Sequence, residues 1–493
     1  MSDHKFHPLE PRRLLTTFIV SPTGSDAASG TLAQPLLTIQ RALNLATQPG
    51  DIVEVRSGTY AEHLTIDQSG SKNGYITLEN YPGEHVLLTG TNAAPPADTT
   101  FGDCMIEIVN QSWVQISGLE IANENGTALE SDAFGIRVQG SGSHIVIKNN
   151  TIHDIDGEVT HRSGDNVTGY AGAGIQVYGS STKKAYSDIT IKGNQIYDCE
   201  PGDNETETVT LNGNINGFLI SHNRVHDDNN IGIDMIGGEA DTFGLPAGTL
   251  NLPVTRNGRC VGNRVYNIHA TYGGGFAGGI YVDGGQNILI DRNVSDQNDM
   301  GLEIGAENAG YTASNVNVEN NILYNNTQAG LAIGGYASDT GRVKSCRVIN
   351  NTIVNNDTTN TGSGQLLIQY ASRNTITNNL FVAEGAVTLI GSDGAGNSGN
   401  ILDNNLYDAP PLVSSPFAWN DQTFATLAEY QSATGEDGHS LYANPRFTNA
   451  SSGDFTLSPN SPAIRRGSAK PGRYAVLNFV GAMRSLPPNI GAY

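Results

Sequence analysis

IVIKNNTIHD, at residues 145–154, recurs with small changes eight more times down this chain. The copies are ITIKGNQIYD (189–198), FLISHNRVHD (218–227), RCVGNRVYN (259–267), ILIDRNVSD (288–296), VNVENNILYN (316–325), RVINNTIVN (347–355), NTITNNLFV (374–382) and ILDNNLYD (401–408). Their equivalent asparagines are Asn150, Asn194, Asn223, Asn263, Asn293, Asn321, Asn351, Asn379 and Asn405, spaced by 44, 29, 40, 30, 28, 30, 28 and 26 residues. A recurring period of this size means a repeat architecture. Each copy is a short strand of alternating polarity, a polar turn and a second short strand. One such coil cannot bury its own apolar face. Stacked coils can, and the asparagines then form an internal ladder whose amides bond to one another and to buried backbone groups. The pattern predicts an all-β parallel solenoid. A sandwich would space its strands by about 8–12 residues and place no identical residue at each turn.

Outward from the repeats, residues 18–122 read as an N-terminal cap and first coils. Ile39, Ala42, Leu43 and Ala46 share one helical face, which suits a capping helix over the open end of the stack. Residues 123–405 are the regular coils, and the two long spacings mark insertions near 156–170 and 238–256, which are expected to wall a binding face. After Asn405 the period fails, and 406–493 read as an irregular C-terminal cap.

Lys and Arg number 27 against 49 Asp and Glu, a net charge of −22, which disfavours a nucleic-acid partner and suits a cation such as Ca²⁺. The four cysteines, Cys104, Cys199, Cys260 and Cys346, lie far apart with no metal-type pairing, and buried free thiols are expected. No stretch is apolar and long enough to span a membrane. Residues 1–17 lack the apolar core of an ordinary signal peptide. Leu9-Glu10-Pro11-Arg12-Arg13-Leu14-Leu15 resembles the LEPR-x-LL motif found near the start of large secreted bacterial proteins, which implies export to the exterior or cell surface.

Each coil also carries a strand of the form Gly-(Ile/Leu)-x-(Ile/Val)-x-Gly. Its apolar positions point into the coil, so the x positions point out. Stacking the copies gives one column of Arg137, Gln176, Asp234, Tyr281, Glu303 and Ala332, and another of Gln139, Tyr178, Ile236, Asp283, Gly305 and Gly334. Stacked like charges are destabilising, so Asp234, Asp283 and Glu303 on consecutive coils mark a candidate catalytic patch. Tyr281 belongs to it, and Arg137, Gln176, Tyr178 and His226 are the candidate substrate-binding residues. Asp227 and Asp228, with Asp234 and Asp283, form a hard-oxygen set suited to Ca²⁺.

The opening VSPTGSD…QPLLTIQRAL…PGDIVEVRSGTY, the YPGE coil and the repeats resemble the pectate-lyase-like superfamily of right-handed parallel β-helices, and most nearly polysaccharide lyase family 9. The resemblance implies a secreted enzyme, a Ca²⁺-binding acidic cluster matched here by Asp227, Asp228 and Asp234, and β-elimination on a uronate polymer by a lysine base. No lysine stands in either column, so Tyr281 or Arg137 would have to replace it. Paired carboxylates are equally the machinery of an inverting glycosidase. Asp283 lies diagonally about 8 Å from both Asp234 and Glu303, which suits that mechanism. The expectation is a monomeric polysaccharide lyase. An inverting glycoside hydrolase and a non-catalytic polysaccharide-binding surface protein remain open alternatives.

Overall fold

The computed structural model describes residues 16–94, 102–125, 132–157, 171–200, 206–229, 231–270, 278–385, 387–392, 396–411 and 413–493. The predicted solenoid is present as a right-handed parallel β-helix. Three long sheets of 16, 13 and 13 strands run the length of the stack, and nearly every coil supplies a strand to each. Sheet I takes the strand before each ladder asparagine, such as Ser143–Lys148, and sheet II the strand after it, such as Thr151–Asp156. Sheet III takes the Gly-Ile-x-Val-x-Gly strand, such as Gly172–Gly179. Strand ladders between coils are parallel, and Phe417–Trp419 meets Gln422–Phe424 antiparallel near the C-terminal end.

The asparagines turn the corner between sheets I and II. Each backbone N–H from Asn150 to Asn379 donates to the side-chain oxygen of the next asparagine, at 2.8–3.0 Å. All nine side chains are buried, so these bonds replace the water that the turn's backbone would otherwise need. The residue before each is left-handed, from Asn149 at φ 55° to Asn404 at φ 56°. That is why Asn, Gly, His and Arg occupy this position and β-branched residues do not. A second ladder, absent from the sequence-based expectation, joins Asn298, Asn326, Asn356 and Gln365 at the corner between sheets II and III.

Inward Ile, Val and Leu side chains fill the coils as one continuous core. The helix Ile39–Leu45 starts at Thr38, whose side chain accepts from the Arg41 N–H, and buries Ile39, Ala42 and Leu43 in that core beside the first coils. Beyond Asn405, the helix Leu427–Thr434 and the strand Leu441–Tyr442 extend the stack, and the final residues fold back over sheet II. The four cysteines are free and buried.

Candidate functional site

The site lies along sheet III. Parallel register makes one column of Glu107, Arg137, Gln176, Thr210, Asp234, Tyr281, Glu303, Ala332 and Leu367. Asp234, Tyr281 and Glu303 are consecutive, as the alternation indicates. The column holds one coil more than the alternation predicts, because the strand Glu207–Gly213 supplies Thr210 and Asn212 between Gln176 and Asp234. Its text, ETVTLNG, alternates like the others but lacks the opening Gly-Ile. Arg137 is therefore three coils from Asp234, about 14 Å along the stack.

The second column breaks where the chemistry concentrates. It runs through Gln139, Tyr178, Asn212 and Ile236. Ile236 then bridges Gly284 in antiparallel sense, and the Gly237 N–H donates to the Asp283 carbonyl at 2.7 Å. Asp283 itself stacks on Gly305. A side chain at Gly305 would collide with the Tyr281 ring, so this glycine lets the two come together.

These outward positions do not form an open solvated face. Asp234, Tyr281 and Asp283 are all under 5% exposed. Asp234 accepts the Met235 N–H at 2.6 Å, and Asp283 accepts the Glu307 N–H at 2.7 Å. The Tyr281 hydroxyl donates to Glu307 Oε1 at 3.3 Å. Burial, reinforced by surrounding carboxylates, pushes the pKa of both aspartates well above the usual range, with Glu207 the largest neighbour for Asp234 and Glu307 for Asp283. Burial likewise raises Glu239, which accepts from the Asn212 side chain. Burial in the groove thus favours the protonated form of these carboxyls over the charged one. Burial and the charges of Glu303, Asp283, Glu307 and Asp234 also raise the Tyr281 phenol, which disfavours the phenolate form.

Next to this acidic centre lies a cavity of about 680 Å³. Glu303, Glu307 and Tyr281 line its upper part, and Met300, Ala332 and Leu367 its apolar part. Tyr336, 69% exposed, stands at its lip and also borders a neighbouring cavity of about 390 Å³. The insertion at 238–256 reaches that second cavity through Gly248, and it is pinned where the Tyr311 hydroxyl donates to the Thr249 carbonyl at 2.7 Å. The insertion near 156–170 falls almost wholly outside the described residues. Further up the groove, Arg137 donates to Gln139 and Gln176 and lies between the rings of Phe134 and Tyr178, at 4.5 and 5.0 Å. Arg137, Gln176 and Phe134 are all buried here.

Three expected site residues lie elsewhere. His226 is on sheet II, its ring stacked between Tyr197 and Tyr266 at 5.0 and 4.8 Å. Asp227 is half-exposed on the same face, left-handed at φ 58° and bonded to His226 and Asn267. Asp228 turns into the corner beyond it and accepts the Cys199 N–H at 2.7 Å, and burial raises its pKa well above the usual range. The chain turns from sheet II to sheet III between these residues and Asp234. Asp227, Asp228, Asp234 and Asp283 therefore do not converge, and the expected Ca²⁺ set does not fit. Among the described residues, no three His, Cys, Asp or Glu are arranged to hold a metal ion.

The family described as "Pel9A-like, right handed beta helix region" matches residues 18–230. The uncharacterized protein YwoF of Bacillus subtilis is 37% identical over 452 residues, covering 90% of this chain and 91% of that one. The pectate lyase PEL9 of Emericella nidulans is 38% identical over 96 residues, 19% of this chain and 23% of its own. Among solved structures, a GH136 lacto-N-biosidase from Eubacterium ramulus aligns with a TM-score of 0.50 at 14% identity, over 87% of this chain and 66% of that one, a likeness of fold. Full-length kinship to YwoF and the match to the Pel9A-like description make the chain a member of the Pel9A-like, pectate-lyase-like family of carbohydrate-active right-handed parallel β-helix proteins.

Proposed function

We propose that this chain is an extracellular glycan-cleaving enzyme that hydrolyses a polysaccharide in the sheet III groove by carboxyl acid–base chemistry. The observation that carries the reading is the buried Asp283 carboxyl, its pKa raised, one strand diagonal from Glu303, which lines the 680 Å³ cavity. A carboxyl whose burial favours its protonated form suits the role of general acid. The diagonal of about 8 Å leaves room for a water between acid and base, the spacing of an inverting glycosidase. Asp283 gives its proton to the departing glycosidic oxygen as the anomeric C–O bond breaks. Glu303 takes a proton from the water that forms the new C–O bond on the opposite face. Tyr281 and Glu307 fix the geometry between them, and the apolar floor at Met300, Ala332 and Leu367 takes the flat face of a neighbouring sugar. The export-like motif at Leu9–Leu15, outside the described residues, supports an extracellular site of action.

Uronate β-elimination is the second reading, favoured by the Pel9A-like match. It needs a base at C5, and neither Tyr281 nor Arg137 suits that role: the Tyr281 phenol is raised, and a guanidinium holds its proton. The test is incubation with neutral and acidic polysaccharides, with and without chelator, reading reducing ends and ultraviolet absorbance together. Hydrolysis predicts new reducing ends without absorbance, unaffected by chelator. An absorbing, unsaturated product establishes the lyase instead. Retention of polymer with neither product identifies a binding protein.

A further inference from the structure

Glu307 and Tyr336 line both cavities, so the 680 Å³ and 390 Å³ spaces are two compartments of one trough that meet at this pair. The backbone beside Tyr336 is held firmly. One guanidinium gathers the carbonyls of the turn that follows it: Arg342 Nη1 donates to Thr340 and Gly341 at 2.9 Å each, and Nη2 to Ser338 at 2.6 Å. The Thr340 hydroxyl closes the turn on the Ala337 carbonyl at 2.9 Å. A side chain at Gly341 would collide with Ala306, so the turn sits directly against the residue before Glu307. A tyrosine 69% exposed on so fixed a backbone is a ring held ready for a ligand.

Carboxyl groups set the charge of the trough. Glu303 and Glu307 line the larger compartment, and Glu307 and Asp339 the smaller. The charges of Asp234 and Asp283 also reach Tyr281 on the wall of the larger one. Among the described residues, no Lys, Arg or His lines either compartment. Arg137, three coils from Asp234, is engaged by Gln139 and Gln176. A polyuronate would set a carboxylate from every sugar against these acids, and a partly buried site enlarges the penalty for like charges. An uncharged sugar meets the same groups favourably. Its hydroxyls donate to the carboxylates in charge-assisted bonds, and its C–H face covers Met300, Ala332 and Leu367 or the Tyr336 ring.

We propose that this trough binds an uncharged glycan and rejects polyuronates, with sugar units on either side of Tyr336. The proposal rests on the reading of the sheet III groove as the place where glycan is cleaved.

The test is affinity electrophoresis of the full chain through gels that each hold one soluble polymer. Mixed-linkage β-glucan, glucomannan, galactomannan, arabinoxylan and arabinogalactan are the uncharged probes, and polygalacturonate and alginate the acidic ones. The Asp283→Asn variant runs beside the wild type, so that retention is read without cleavage. The expected result is retention by at least one uncharged polymer, at least about tenfold tighter than by either polyuronate. Tyr336→Ala is expected to weaken that retention about tenfold with Tm unchanged, because the ring is exposed. Retention by a polyuronate at comparable or greater strength overturns the proposal, as does absence of retention by every uncharged polymer. Retention that Tyr336→Ala leaves intact overturns the path across both compartments. Retention of an uncharged polymer by a wild type that releases no reducing ends upholds the substrate class and refutes hydrolysis, so the two readings fail separately.

Discussion

Replacing Asp283 with asparagine separates what this residue does from what it costs. Loss of the proton donor is expected to lower kcat by about 10²–10⁴ and to abolish the alkaline limb of the pH–rate profile, which steady-state kinetics across pH would show. Stability should move the other way. The folded pKa is raised above the unfolded value, so the group's stabilisation is present below the ordinary carboxylate range and is lost as pH rises through the folded value. A permanently neutral amide avoids that loss, so Asp283→Asn and Asp234→Asn should each gain about 1–2 kcal/mol near pH 8, read as a higher Tm. A variant with full activity and a lower Tm would make Asp283 a structural residue. Alternation along the strands is enough to line up Asp234, Tyr281 and Glu303 from residue order alone. It misses Thr210 and Asn212, whose strand lacks the Gly-Ile opening, and it draws His226, Asp227 and Asp228 to the site by closeness in sequence. The corner between two sheets lies in that short interval, and nothing in the local residue pattern marks it.

The asparagine corner sets the behaviour of each coil. Asn293 accepts the Asn263 N–H at 2.8 Å and donates to the Cys260 carbonyl at 3.0 Å and to Asn321 Oδ1 at 2.9 Å. Asn293→Ala strands the Asn263 N–H and takes a donor from the Cys260 carbonyl in a dry interior, while the backbone N–H at 293 keeps its bond to Asn321 Oδ1, and urea unfolding is expected to show a loss of about 2 kcal/mol or more. A loss below about 1 kcal/mol would mean that water enters the corner and replaces the amide. This ladder is legible because a single residue type must recur at each turn. The second ladder is written just as plainly, since Asn298, Asn326 and Asn356 each follow a first-ladder asparagine by five residues. Each of the three falls just past the end of its repeated phrase, so the phrase alone does not display them.

At the scale of the whole molecule, the stack must be finished as well as repeated. Asp437 ends the ladder: it accepts from Asn405 Nδ2 at 3.0 Å and from the Tyr407 hydroxyl at 2.9 Å. Burial pushes its pKa up to about 6. Its stabilisation is therefore complete below the ordinary carboxylate range and is lost as pH rises through about 6. Tm is expected to fall between about pH 4 and 7, and Asp437→Asn to flatten that fall by up to about 3 kcal/mol. An unchanged pH profile in the variant would assign the sensitivity to the groove carboxyls instead. The sequence period stops at Asn405 because the next rung is an aspartate at a longer interval, so the extra coil through Leu441–Tyr442 reads as irregular text. The four buried thiols have a practical consequence. Cys104, Cys199, Cys260 and Cys346 form no cross-link, so a reducing cytosol and an oxidising exterior hold the same folded molecule. The protein can be produced in an ordinary bacterial cytoplasm without oxidative refolding, and reductant in the assay buffer should leave its activity untouched.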